Sequence, residues 1–142
     1  MLKQILFAAL AFTLAATVAS ANQPKDKVTI SVGKTAATNG KQMYASYCAP
    51  CHGTDGKGHG PTASALKAQP TDLTILSKNN HGKFPDAHIV TVLQFGSELP
   101  SHGSQEMPVW GPILSNMNRF NAQDKQLRIS NLSRYLETIQ VK

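Results

Sequence analysis

The chain contains the stretch Cys48-Ala49-Pro50-Cys51-His52, which includes both of its cysteines. At helical spacing Cys51 follows Cys48 by one turn and His52 follows it by four residues, so the three side chains share one face of a helix. Two thiols on that face can add to the two vinyl groups of one porphyrin, while the imidazole reaches its iron. The stretch therefore predicts one haem c, attached through Cys48 and Cys51 and ligated by His52.

A Cys-x-x-Cys pair also occurs in three other kinds of site, and each makes a demand on its surroundings. A thioredoxin-like redox pair belongs in a βαβ unit, but no parallel-strand pattern flanks Cys48 or Cys51. A structural zinc site needs further Cys or paired His ligands, whereas the chain has only two cysteines. A disulfide between the two would close a loop too small to constrain the unfolded chain much. The stretch favours haem attachment over all three.

Residues 1–21 have the organisation of a cleavable export signal. Lys3 gives a positive start, residues 5–18 form an apolar run interrupted only by Thr, and Ala19-Ser20-Ala21 is a small-x-small cleavage site. The run is shorter than the roughly 18 residues of a spanning helix, which favours cleavage over an uncleaved membrane anchor. We expect a mature periplasmic chain that begins at Asn22 and is not stably inserted in a membrane.

The composition limits both the core and the partners of this chain. Aromatic residues make up 6% of it and there is one Trp, so a core made of protein alone would be small. A buried porphyrin would supply the missing apolar surface. The formal net charge is +6, carried by basic residues that are scattered singly. This pattern argues against nucleic-acid binding and favours encounter with an acidic protein.

The chain divides into the signal 1–21, an N-terminal arm 22–38 and a haem domain 39–142. The arm is polar apart from an alternation at Val28, Ile30 and Val32, which is compatible with a short strand or with an extended segment laid on the domain. We prefer the extended segment.

The domain shows signals for several short helices joined by long loops, an organisation that is natural when a cofactor fills the centre. A first helix is predicted from Asn39-Gly40 into the haem motif, and Pro70-Thr71-Asp72-Leu73 is an N-cap-like start to a short helix over 73–77. A third helix starts at Pro85 and Asp86 and stops at Gly96. A final helix is capped by Asn121 and runs to about Gln140. Its apolar stripe consists of Ile129, Leu132, Leu136 and Ile139.

The loop from Gly53 to Pro61 has four glycines in its first eight residues and ends with the proline. Glycine lets backbone approach a neighbour without an intervening side chain, so we expect this loop to pass close to the porphyrin edge.

The second axial ligand decides whether the iron is closed, as in an electron carrier, or open to a small molecule. The candidates are the sulfur- and nitrogen-bearing side chains Met43, Met107, Met117, His59, His81, His88 and His102. Met43 shares a rigid helix with the motif, and Met117 lies in a polar stretch. Met107 begins the strap segment, residues 107–112, which is predicted to be a loop that Pro108 and Pro112 stiffen. We therefore predict His52/Met107 ligation, and a bis-histidine haem is the alternative.

These features together resemble the class I c-type cytochromes of the small bacterial mono-haem kind, over residues 39–140. The matching segments are Cys48-Ala-Pro-Cys51-His52, Gly60-Pro61, Pro70-Thr-Asp72-Leu73-Thr, Met107-Pro108-Val-Trp110-Gly111 and Tyr135-Leu-Glu. The resemblance implies an all-α, cytochrome c-like fold in which terminal helices cross near the haem. It also implies that the Pro61 carbonyl accepts a hydrogen bond from the His52 ring. Trp110 either donates a hydrogen bond from its indole N–H to a haem propionate or is simply a large core residue. The arm before Asn39 and the stretch 79–105 depart from the family pattern.

The resulting hypothesis is an electron carrier rather than an enzyme, with a dehydrogenase or oxidase subunit as its partner. Lys57, Lys67, Lys78 and Lys83 are candidates for steering an acidic docking surface toward the haem. The alternatives are a haem protein with an open sixth site, such as a gas sensor or a peroxidase-like enzyme, and the cytochrome subunit of a larger oxidoreductase.

Overall fold

The computed structural model describes residues 33–96, 107–117 and 122–141. The predicted export signal, the alternation in the arm, His102 and Asn121 lie outside the described residues. Within the described ranges all regular elements are helical, which confirms the predicted all-α class. The helices are α1 (Gly40–Met43), α2 (Ala49–His52), α3 (Leu76–Asn79), α4 (Asp86–Phe95), α5 (Trp110–Asn116) and α6 (Ala122–Thr138). No helix in these ranges has the length and apolar character needed to span a bilayer.

The haem motif ends a continuous helical run that starts at Gly40, as predicted. The Asn39 side chain caps it by accepting a hydrogen bond from the Gln42 N–H at 2.9 Å. Between α1 and α2 the chain makes a π-helical turn, Tyr44–Cys48, in which the Ala49 N–H bonds the Tyr44 carbonyl. The run stops at Gly53, whose φ of 81° a residue with a side chain rarely adopts. The π turn has no signal in the sequence.

The core forms where α4, α5 and α6 pack together and where α1 crosses α6. The predicted stripe of α6 is buried at Ile129, Leu132 and Leu136 and half-buried at Ile139. Polar contacts also join the helices, since the buried Ser133 hydroxyl donates to the Asp86 carboxylate at 2.6 Å. The other buried apolar side chains are Met43, Tyr44, Tyr47, Ala49, Ile89, Leu93, Trp110 and Leu114.

The strap segment differs from the prediction of an irregular loop. Met107 and Pro108 are irregular, but α5 begins at Trp110. Pro112 lies in the first turn of this helix, where its missing N–H would have no partner within the helix. Proline therefore starts a helix here, and only the first part of the strap is a loop.

Glycines of the loop 53–61 allow close contacts within the chain, and the expected approach of this loop to the porphyrin edge stays a prediction. A Cβ at Gly56 would lie 3.1 Å from Ile139 Cδ1 and 3.2 Å from Thr74 Cγ2. A Cβ at Gly60 would collide with the backbone of Pro50. The loop is thereby folded back onto the motif helix and onto the segment around Thr74.

Candidate haem site

The two cysteines of the motif are free thiols and are half-buried. Cys48 ends the π turn and Cys51 lies in α2. Burial, and secondarily the neighbouring Cys51, raises the pKa of the Cys48 thiol to about 12. The thiol is therefore protonated at neutral pH, and a protonated thiol is a poor nucleophile in disulfide exchange.

Cys51 is held by a side chain from the loop that follows the motif. Its sulfur lies 3.2 Å from the Thr62 hydroxyl oxygen. Because the Thr62 hydroxyl donates to the Pro50 carbonyl at 2.7 Å, its oxygen is left to accept from the Cys51 thiol. Thr62 thus orients the second attachment point.

The His52 ring is oriented and kept neutral by its surroundings. It is 8% exposed, and its Nδ1 lies 3.0 Å from the Thr71 carbonyl oxygen. A carbonyl only accepts, so Nδ1 carries the proton and donates it, while Nε2 keeps its lone pair. Burial lowers the pKa of His52, and the bond to Thr71 opposes that shift only in part. Neutral imidazole with a free Nε2 is the form that binds iron.

The acceptor for His52 is Thr71 rather than Pro61, the residue that the family resemblance implied. The backbone N–H groups of Gly60 and Thr62 bond the carbonyls of Cys51 and Pro50, at 3.0 and 2.9 Å. These bonds fold Gly60-Pro61 against the motif helix, and Pro61 itself is exposed. Since Nδ1 has one proton, a bond to Thr71 leaves none for Pro61.

Thr71 is held in place by the turn that follows it. Asp72 caps the 3₁₀ turn Leu73–Ile75, and its carboxylate accepts from the Thr74 N–H at 2.8 Å and the Thr74 hydroxyl at 2.6 Å. These bonds are the main reason that the pKa of Asp72 is lowered. The Leu73 N–H also bonds the Gly56 carbonyl at 2.7 Å. The sequence signal at Asp72 identified the cap, but nothing in it identified the carbonyl beside it as the partner of His52.

The three candidate methionines have different surroundings. Met43 is fully buried, and its sulfur lies 3.9 Å from Arg128 Nη1. The Met117 sulfur lies 3.5 Å from the Tyr47 hydroxyl. Both therefore contact protein groups. Met107 is half-buried against the core cluster, and its role as an iron ligand stays a prediction.

Within the described part of the chain, the two loop histidines His59 and His81 lie in different surroundings. A ring nitrogen of His59 lies 3.3 Å from Gln69 Nε2, and His81 has a φ of 55° in a turn. In these ranges no three His, Cys, Asp or Glu side chains form a separate metal site.

Trp110 is a core residue in the structure. It is 3% exposed, and its ring stacks on Tyr47 with centroids 5.5 Å apart. This contact agrees with the core alternative of the sequence analysis, and the hydrogen bond to a propionate stays a prediction.

The chemistry of the donor set fits haem c. One free thiol directly precedes α2, the other lies within it, and a neutral imidazole follows directly, with its Nδ1 bonded to Thr71 and its Nε2 unprotonated. Cys48 and Cys51 are the residues that would hold the porphyrin, and His52 Nε2 is the atom that would hold the iron.

Comparison with known proteins supports the same assignment. Residues 35–122 match the family model described as cytochrome c oxidase, cbb3-type, subunit III. No curated protein matches the chain, and no solved structure does. The family match covers more than half of the chain and includes both the haem motif and the strap segment. The chain therefore belongs to the family of cytochrome c oxidase, cbb3-type, subunit III, and the matched region is a c-type cytochrome domain.

Proposed function

We propose that this chain carries single electrons on one haem c, with His52 and Met107 as the axial ligands. The haem, when bound, supplies the ferric/ferrous couple. The observation that carries the proposal is the His52–Thr71 bond, because it fixes the tautomer and leaves Nε2 for the iron.

The protein's contribution is to keep the site rigid while the charge changes. The covalent bonds to Cys48 and Cys51 prevent dissociation, and the Thr71 carbonyl holds the His52 ring angle. Met107 closes the opposite side, so that no small molecule has to enter or leave. A thioether raises the reduction potential relative to a second imidazole.

We propose that the partner is a redox protein of an oxidase complex, in line with the description of the family. The mature protein would work in the periplasm after removal of residues 1–21. Four exposed lysines lie on the stretch from the loop 53–61 to the start of α4, namely Lys57, Lys67, Lys78 and Lys83. Their positive charge would favour encounter with an acidic docking surface.

The visible spectrum of the purified holoprotein tests this proposal, oxidised and reduced, with and without carbon monoxide. A low-spin spectrum with the weak far-red sulfur-to-iron band, unchanged by carbon monoxide, supports His52/Met107 ligation. A high-spin spectrum that shifts with the gas contradicts the carrier proposal and supports a sensor or a peroxidase-like enzyme instead.

A further inference from the structure

Tyr47 joins the two segments that the proposed function places on opposite sides of the iron. It directly precedes Cys48, and it is 1% exposed. Its ring stacks on Trp110 of the strap segment, with centroids 5.5 Å apart and planes inclined by 27°. The haem-attachment helix and the strap, far apart in the sequence, therefore share one aromatic contact.

The Tyr47 hydroxyl is held by the last residues of the N-terminal arm. It donates to the Gly33 carbonyl at 2.6 Å and lies 2.7 Å from the Thr35 hydroxyl. Since the single Tyr47 proton is used at Gly33, the Thr35 hydroxyl donates to Tyr47.

Arg128 of α6 extends this network. Its Nη1 donates to the Thr35 carbonyl at 2.9 Å and to the Thr35 hydroxyl oxygen at 3.1 Å, and its Nε pairs with Asp124 at 2.6 Å. Arg128 is itself 6% exposed. The charged pair on α6 therefore anchors the arm, and the arm anchors Tyr47.

The strap is short enough to transmit the position of Trp110 to Met107. Three residue steps separate their Cα atoms, which limits the distance to about 11 Å. Pro108 lies between them and restricts one of the intervening backbone angles. The short, restricted backbone between the two residues therefore passes a shift of Trp110 on to Met107.

We propose that Tyr47 is a positioning residue for the sixth ligand: its ring fixes the strap through Trp110, and residues 33–35 fix Tyr47. The inference rests on the proposed Met107 ligation and adds to it that the end of the N-terminal arm strengthens the sulfur–iron bond.

Tyr44 is a matched control on the same helical run. It is 2% exposed, its hydroxyl donates to the Gly53 carbonyl at 2.7 Å, and its ring lies 5.1 Å from another aromatic ring. That second ring is Tyr135 of α6, not a residue of the strap. Equivalent substitutions at Tyr44 and Tyr47 thus remove similar interactions but affect different neighbours.

The experiment compares Tyr47→Leu and Tyr47→Phe with Tyr44→Leu and Tyr44→Phe in the holoprotein. It measures the affinity of the ferrous protein for carbon monoxide, the pH at which the sulfur-to-iron band is lost, and unfolding by denaturant. Because carbon monoxide competes with Met107, weaker sulfur ligation raises its apparent affinity by the same factor. Loss of an aromatic pair or of a hydrogen bond should each change the apparent carbon monoxide affinity by a factor of about five.

We expect Tyr47→Leu to raise the carbon monoxide affinity by about tenfold or more and to move loss of the band to lower pH. Tyr47→Phe keeps the ring and should raise the affinity by about threefold to fivefold. The Tyr44 variants should lose comparable unfolding stability but change the affinity by less than about twofold. Thr35→Val, which removes the hydroxyl that donates to Tyr47 and accepts from Arg128, should resemble Tyr47→Phe.

Two results would overturn the inference. One is a Tyr47 series whose affinities stay within about twofold of the parent, and the other is a Tyr44 series that shifts as much as the Tyr47 series. If Tyr47→Leu yields no holoprotein, the carbon monoxide affinities of Tyr47→Phe and Thr35→Val test the inference by the same criterion. A parent protein without the sulfur-to-iron band would refute Met107 ligation itself, and with it the role of Tyr47.

Discussion

Substitution of Gly40 by Ala tests how closely the first helical run must approach α6. Gly40 is buried where the two helices meet. A Cβ built there collides with the carbonyl oxygen of Asn131, lies 2.8 Å from the Asn131 carbonyl carbon and 3.0 Å from Tyr135 Cβ. Two of these three atoms belong to the backbone of α6, so relief requires the helices to separate.

The direction of the change in unfolding free energy follows from two opposing contributions. Ala has a higher helix propensity than Gly, which stabilises by at most about 1 kcal/mol. Overpacking of a closed interface costs about 1–3 kcal/mol, and contact with backbone lies at the upper end because no side chain can rotate away. We expect a net loss of about 2 kcal/mol in the free energy of unfolding, which corresponds to about 8 °C in Tm for a domain of this size.

Denaturant unfolding of the haem-loaded protein, followed by far-ultraviolet circular dichroism, measures this loss as a lower midpoint at constant slope. Gly33→Ala is the control, because a Cβ at Gly33 has no atom within 4 Å. The reasoning is refuted if Gly40→Ala is as stable as the parent or more stable, since helix propensity would then outweigh the contact.

Three further predictions follow from the site and its supports. Met107→Ala should keep the covalent haem, bind carbon monoxide and show a lower reduction potential; a spectrum identical to the parent's would identify another residue as the ligand. Asp72→Ala should cost about 1 kcal/mol of unfolding stability at pH 7, because it removes the cap of the turn that holds Thr71. The pKa of Asp72 is lowered in the folded state, so its contribution is present above the ordinary value of 3.8 and lost as the pH falls through the folded value. Unfolding curves of parent and variant should therefore converge in acid, and a constant difference would exclude a role for the charge. Exchange of Lys57 and Lys83 for Glu should slow electron delivery to an acidic partner at low salt; an unchanged stopped-flow rate would exclude this surface as the docking site.

Helix boundaries that depend on neighbouring residues were predictable. Asn39 caps the first run, Asp72 caps the turn after Thr71, and Gly96 ends α4 with a positive φ of 82°. Each signal acts within one turn of the residue that carries it. The helical start at Trp110 was missed because Pro112 was interpreted as stiffening a loop, although proline is equally suited to a first helical turn.

The contacts and backbone geometry that position the site residues were not predictable from local sequence. The His52 ring bonds Thr71 and not Pro61, because the path of the loop 53–61 decides which carbonyl faces Nδ1. The π turn before the motif likewise has no residue that signals it.

The amino-acid sequence alone determined the haem motif, the all-α class and most helix limits, since covalent attachment, capping and apolar periodicity depend on residues close in the chain. The tertiary structure decided the partner of His52, the buried position of Arg128 and the stack of Tyr47 on Trp110. These contacts join segments far apart in sequence. Their pairing depends on how the helices pack, and no local pattern specifies that packing.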